Sequence, residues 1–188
     1  NHLKIDKFIL YGVSMGAPIA IQYSNNHIDR SLAVGIQVPV VHIDNNIFKI
    51  LNVPIIGEMM MRFFGLPLIK KRALEWNKDE SINEDFIEKY INQLSLPGTE
   101  HALLSASRNL FPKNYTSIYE AFSKNKIPFH IAYADDDTEV SPDSVRAIIK
   151  INNDADVFMF TGGHGGSAKI PDKIVNVFES FLSKNLNQ

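Results

Sequence analysis

Apolar positions along this chain follow two rhythms. Lys7 to Tyr11 (KFILY) is a short apolar run that stops at Gly12 and predicts a buried strand. From Met15 to Asn26, apolar residues at 15, 17, 19, 20, 21 and 23 predict a mostly buried helix. Pro18 is tolerated in its first turn, where backbone N–H groups have no partner within the helix. Ser31 to Val38 (SLAVGIQV) is a second strand-like run. Strand, helix and strand over residues 1–38 make the unit of a parallel sheet. The same rhythm returns late in the chain. Pro128 to Ala134 (PFHIAYA) and Ala155 to Phe160 (ADVFMF) predict strands, and Ser141 caps a helix that has Pro142 at its first position and runs to about Ile151. Pro171 and Asp172 open a last helix with the apolar stripe Ile174, Val175, Val177, Phe178, Phe181 and Leu182.

Between these stretches the pattern changes. Residues 39–127 carry few strand signals and are punctuated by prolines at 39, 54, 67, 97 and 112. Ser81 with Glu84 forms a capping-box pattern, and behind it Phe86, Ile87, Tyr90, Ile91 and Leu94 recur at helical spacing. His101 to Leu110 and Tyr115 to Lys124 also read as helices. The prediction is an α/β fold whose core, residues 1–38 and 128–188, carries a mostly parallel sheet. Residues 39–127 form a helical cap or lid inserted into it, too long for a simple loop. An insertion above the C-terminal ends of parallel strands is a natural cover for a pocket. The Met and Phe residues within Val53 to Leu66 admit three readings: an adaptable apolar acyl pocket, the core of the lid, or a helix lying in a lipid interface. Few basic residues accompany them, which weighs against the third.

Composition narrows the classes. The chain has 188 residues, 45% hydrophobic and 21% charged, which fits one ordinary globular domain with an inserted lobe. A net charge of -2 gives no electrostatic case for nucleic acid or an anionic membrane as partner. The absence of cysteine excludes disulfides, thiolate metal sites and a cysteine nucleophile, and fits a reducing compartment such as the cytoplasm. No apolar run reaches the length of a membrane span, and the richest, Ile50 to Ile69, is interrupted by Glu58 and Arg62. The first residues are no signal peptide, and they include no Met.

Candidate chemistry sits at the strand ends. Gly12-Val13-Ser14-Met15-Gly16 matches G-x-S-x-G between a predicted strand and a predicted helix, the context in which a serine nucleophile projects from a sharp turn. Side chains two positions before and after Ser14 are expected to collide with neighbouring elements, and glycine avoids this. The helix that follows points its positive end at the place where an oxyanion would form, with the Met15 N–H as a donor. A serine needs a base and the base an orienting acid, in the chain order Ser, Asp or Glu, His. Asp135, Asp136 and Asp137 follow one late strand, and Thr161-Gly162-Gly163-His164-Gly165-Gly166 follows the other. Both loops leave the same sheet edge as Ser14. The spacing over 135–139 fits no EF-hand calcium loop, and neither a metal nor a cofactor is called for. His2 and His27 read as surface residues, His42 opens the insertion, His101 lies on a cap helix, and His130 reads as a satisfied core residue.

These segments resemble the α/β-hydrolase family over nearly the whole chain: IDKFILYGVSMGAPIAIQYS its nucleophile elbow, IPFHIAYADDDTEVSP its acid segment, FTGGHGG its Gly-His segment. Ala134 stands where that family usually has Gly. Counting from it, the resemblance assigns the acid to Asp137 and the base to His164, leaving Asp135 and Asp136 as solvated loop carboxylates. It implies a serine hydrolase acting on small apolar carboxylic esters, and LPGTEHALLSASRNL looks like capped esterases and monoglyceride-type lipases. Relatives that use Asp in place of the serine, such as haloalkane dehalogenases, are disfavoured by Ser14. A thioesterase, a carbon–carbon bond hydrolase or a non-catalytic ligand-binding member remain alternatives. The family normally carries several strands before its elbow. Here the elbow falls at residue 14, so a truncated fold is expected, lacking the second oxyanion donor and weak or inactive in isolation. An apolar edge at residues 7–11 would then favour self-association.

Overall fold

The computed structural model describes residues 4–43, 45–76, 82 and 84–186. In chain order its elements are β1 (Phe8–Val13), α1 (Gly16–Asn26), β2 (Ser31–Gln37), α2 (Ile47–Leu51), α3 (Ile56–Met60), a π-helical turn (Met61–Gly65), α4 (Leu66–Trp76), α5 (Glu84–Leu94), α6 (Thr99–Asn109), α7 (Thr116–Phe122), β3 (Phe129–Ala134), α8 (Pro142–Ile151), β4 (Asp156–Phe160), a short 3-10 turn (Gly166–Lys169) and α9 (Pro171–Leu186). They divide into two compact units, Asn1–Ile43 with Asn114–Gln188, and Asp44–Lys113.

The first unit is built on the four apolar runs. All pair in parallel in the order β1-β2-β3-β4, with Tyr11 opposite Gly35, Ile36 opposite Ile131 and Ala132 opposite Phe158. β1 extends beyond its apolar run because Gly12 and Val13 still pair with Ile36 and Gln37. Every residue of β3 is buried, as expected of a strand covered on both faces. On one face, Ala17 and Ile21 of α1, Tyr119 and Phe122 of α7, and Val145 and Ile148 of α8 pack against Val34, Ile36, Phe129, Ile131 and Tyr133. Each fully buried isoleucine there contributes roughly 1.5–3 kcal/mol by leaving water. On the other face Val38, Ala132, Ala134 and Phe160 meet Ile170 and Ile174, and Phe178 of α9 lies edge-on to Tyr11. Among the described residues, β1 has a neighbour on one side only, and its Ile9, Tyr11 and Val13 are exposed.

Two expectations change here, and a third is not tested. The sequence pattern assigned Tyr115 to Lys124 to the insertion, but α7 belongs to the first unit. Its Tyr119 and Phe122, one turn apart, are both fully buried in the sheet core, and the Tyr119 hydroxyl donates to the Val40 carbonyl. Ser141 does stand before α8 with Pro142 at the first helical position, yet its side chain makes no cap. Its carbonyl instead accepts the Ser144 and Val145 N–H groups. The Ser81 capping box lies outside the described residues.

In the second unit, Leu51, Met61 and Leu104 form a small core. Arg108 ties it together, donating from Nε to the Leu51 carbonyl at 2.6 Å and from Nη1 to Glu58 at 2.9 Å. Of the Met and Phe residues in this stretch, Met61 is in that core, whereas Met59, Phe63 and Phe64 are exposed. The π turn separates α3 from α4, and Gly65 leaves the space that the Met61 sulfur occupies. Among the described residues, no helix is long and apolar enough to cross a membrane.

His130 is fully buried between Phe178 and Phe181 and pairs through Nδ1 with Asp156 Oδ2 at 2.7 Å. Burial disfavours the imidazolium more strongly than Asp156 favours it, so the pKa of His130 lies below its ordinary value of 6.5. The unfolded chain then binds more protons than the folded one between that depressed pKa and 6.5. Stability is full above 6.5 and falls as the pH drops through this window. A series of urea midpoints against pH is expected to show this fall, and His130→Gln to flatten it. An unchanged slope in the variant would assign the fall elsewhere.

Candidate active site

Three loops leave the C-terminal ends of β1, β3 and β4, and each presents one polar side chain to the same place. The first loop is the tightest. Ser14 follows β1 with φ +52°, a left-handed conformation that costs a non-glycine residue energy. The surroundings hold it there. Its N–H donates to the Gln37 carbonyl at 2.8 Å, and its own carbonyl accepts the N–H groups of Ala17 at 3.1 Å and Val40 at 3.2 Å. Val38, between Gln37 and Val40 and just past the end of β2, is itself at φ +40°.

The two glycines around Ser14 do unequal work. A Cβ on Gly12 would sit 2.5 Å from the Gly16 carbonyl oxygen and 2.8 Å from the Ala17 Cα, both backbone atoms that cannot give way cheaply. A Cβ on Gly16 would meet nothing within 4 Å, so the expected collision on that side is absent. Gly12→Ala is expected to cost about 2–4 kcal/mol, whereas Gly16→Ala, at the start of a helix, is expected to be neutral or slightly stabilising. Denaturant midpoints of the two variants check this, and equal losses would contradict it.

The second loop carries Asp137, whose side chain is almost fully buried. Oδ1 accepts the N–H groups of Glu139 at 2.8 Å and Val140 at 3.0 Å, and Oδ2 faces His164 Nδ1 at 2.8 Å. Burial alone would push this carboxyl up. The hydrogen bonds from His164, Val140 and Glu139 together outweigh it and hold the pKa below the ordinary aspartate value, so the group is ionised at neutral pH. The third loop carries His164, whose Nε2 lies 2.9 Å from Ser14 Oγ. With the ionised Asp137 fixing the proton on Nδ1, Nε2 is left as an acceptor directed at the serine hydroxyl.

Asp137 and His164, predicted beside Ser14, are thus brought into one continuous hydrogen-bonded chain with it. Met15 stands at the start of α1, and among the described residues no backbone acceptor takes its N–H. Asp135 is exposed and its backbone N–H reaches the Phe160 carbonyl. Asp136 departs from the sequence reading. Although exposed, its carboxylate accepts the N–H groups of Gly162 at 3.0 Å and Gly163 at 2.8 Å, and these bonds lower its pKa. It is a structural partner of the His164 loop, not a carboxylate facing only solvent. Gln37, unnoticed in the sequence, is buried at the end of β2 and joins Tyr11 to Ser167. Of the other described histidines, His42 and His101 are exposed, and the His27 ring lies 4.4 Å from that of Tyr23, tilted by 44°.

No family model matches the chain, and no curated protein matches it. Solved structures do. A bromoperoxidase from Bacillus anthracis superposes with a TM-score of 0.75 at 16% identity, covering 96% of this chain and 69% of its own. A thermophilic esterase from Thermogutta terrifontis gives 0.72 at 18% identity, over 98% of this chain and 68% of its own. A haloalkane dehalogenase from Agrobacterium tumefaciens gives 0.74 at 15% identity, over 97% and 68%. The names of these proteins point to different chemistries, and each superposes on nearly the whole of this chain. On that likeness and on the sheet described above, this chain has the α/β-hydrolase fold.

Proposed function

We propose that this chain carries the catalytic machinery of a serine hydrolase that cleaves carboxylic esters through an acyl-enzyme. The reading rests on one observation, the unbroken run from Ser14 Oγ to His164 Nε2 and from His164 Nδ1 to the buried Asp137 carboxylate. His164 Nε2 takes the Ser14 proton as Oγ attacks the ester carbonyl. The tetrahedral oxyanion faces the Met15 N–H and the positive end of α1. Collapse expels the alcohol, which takes the proton from Nε2. Water, deprotonated by the same nitrogen, then attacks the acyl carbonyl and releases the acid and free Ser14. Asp137 holds the imidazole in its working tautomer throughout and stabilises the imidazolium.

The fold alone does not select esters, since structures sharing it bear the names of a bromoperoxidase and a dehalogenase. Serine in place of an acidic nucleophile favours acyl transfer, and the esterase among the similar structures supports an ester over a halide. The test is labelling by a fluorophosphonate, which captures a serine whose hydroxyl is activated by a base, followed by a series of p-nitrophenyl esters of increasing acyl length. Mass-spectrometric assignment of the adduct to Ser14 is expected. A full-length protein that stays unlabelled at every pH tried would overturn the reading.

A further inference from the structure

Deeper in the same site, the segment that carries His164 is gripped ahead of the imidazole by Asp136 and behind it by Gln37. Ahead of His164, the Asp136 carboxylate takes the N–H of Gly162 on both oxygens, each at 3.0 Å, and the N–H of Gly163 at 2.8 Å. Those two glycines have φ +112° and +68°, so the approach to His164 is a left-handed bend that side chains rarely adopt. Two adjacent N–H groups converge there on one anion. Behind His164, the chain turns back through Gly166, whose N–H donates to the Gly163 carbonyl at 3.0 Å, and enters the 3-10 turn. Ser167 in that turn accepts a hydrogen bond from Gln37 Nε2 at 2.6 Å.

Gln37 is itself fixed. Its Oε1 accepts the Tyr11 hydroxyl at 2.9 Å, its side chain is buried, and its backbone carbonyl takes the N–H of Ser14. Burial pushes the Tyr11 phenol up to about 12, so it remains a donor across the neutral range. One residue of β2 therefore holds the backbone of Ser14 with its main chain and the segment after His164 with its side chain.

We infer that Asp136 and Gln37 are positioning residues that set the distance between His164 Nε2 and Ser14 Oγ by clamping the His164 loop before and after the imidazole. The inference rests on the serine-hydrolase reading for its catalytic meaning. The adjacent aspartates then divide the work: Asp137 bonds the imidazole, and Asp136 bonds the backbone that carries it. A loop released at either end lets the imidazole drift, and a misplacement of about 1 Å in a proton-transfer pair costs on the order of 10²-fold in rate.

The experiment uses the 188-residue chain and the variants Asp136→Ala, Asp136→Asn and Gln37→Ala, with two readouts. The first is the rate of fluorophosphonate labelling of Ser14 across pH. The second is the proton resonance of His164 Nδ1–H, shifted far downfield by its bond to Asp137 and lost when the imidazole is mobile. Asp136→Ala and Gln37→Ala are each expected to slow labelling by about 10–100-fold and to broaden or remove that resonance. Asp136→Asn keeps one acceptor oxygen and is expected to recover part of both, which also guards against an alanine variant that fails to fold. Labelling at the parent rate in all three, with the resonance intact, overturns the clamp. If the parent chain itself does not label, the hydrolase reading is judged separately on the full-length protein. The resonance still decides the clamp, which stands if the signal is lost only in the variants and falls if it persists in them.

Discussion

Ser14→Ala is expected to abolish fluorophosphonate labelling and to lower ester hydrolysis by roughly 10⁴–10⁶-fold. The size follows from the geometry. The hydroxyl is the group that His164 Nε2 faces at 2.9 Å, and Asp137 Oδ2 faces the other nitrogen of the same imidazole at 2.8 Å. Removing the hydroxyl leaves a base with nothing to deprotonate, so the acyl-enzyme cannot form. What survives is substrate binding and the Met15 N–H, which alone support a small rate over water. The fold should be untouched, because alanine keeps the backbone bonds from Ser14 to Gln37, Ala17 and Val40. Steady-state kinetics and a denaturant melt on the same preparation separate the two. A variant that keeps more than a hundredth of the parent rate would move the chemistry away from Ser14.

Asp137→Asn is the second large effect, a loss of about 10⁴-fold in kcat with little change in stability. The asparagine carbonyl oxygen replaces Oδ1 and still accepts the Glu139 and Val140 N–H groups, so the loop is preserved. Its amide nitrogen then faces His164 Nδ1 where a carboxylate oxygen stood. A donor there requires Nδ1 to accept, which puts the imidazole proton on Nε2, pointing at the serine hydroxyl. That tautomer cannot take the Ser14 proton. Loss of the charge also removes what would stabilise the imidazolium. The measurement is kcat for one p-nitrophenyl ester, with the urea midpoint as control. Activity within tenfold of the parent would show that the acid is supplied by another residue.

The residues of that chain were legible because each carries its own local signal. Gly12 and Gly16 frame Ser14 and glycines surround His164, just after apolar runs that predict strands, while the resemblance to the α/β-hydrolase family singles out Asp137 by its count from Ala134. Chain order did the rest. The supports were not legible, because they depend on strands meeting. Gln37 and Ser167 are 130 positions apart, and nothing near either residue in sequence points to the other. Asp136 looked like its solvated neighbour Asp135. Its role exists only because β3 and β4 pair and bring the Gly162-Gly163 bend beside it. The edge of the insertion was misjudged at α7 for a similar reason, since periodicity marks Tyr119 and Phe122 as a helical face without saying which core receives it. The dispensability of Gly16 was hidden too, because the motif treats its two glycines alike whereas the packing does not.

The three chemical groups sit on β1, β3 and β4, with β2 between the first and the others, and this has a kinetic consequence. Asp137 and His164 are 27 positions apart, whereas Ser14 and His164 are 150 apart. Closing the longer loop costs roughly 1.5 kcal/mol more chain entropy than closing the shorter, so acid and base can be juxtaposed by a local β3-α8-β4 unit before the serine arrives. Ser14 joins only when β2 docks on β3 and seals the sheet. Reactivity at Ser14 therefore reports the least local strand pairing of the sheet. In a refolding reaction, it would rise after the helices and the later strands have already settled.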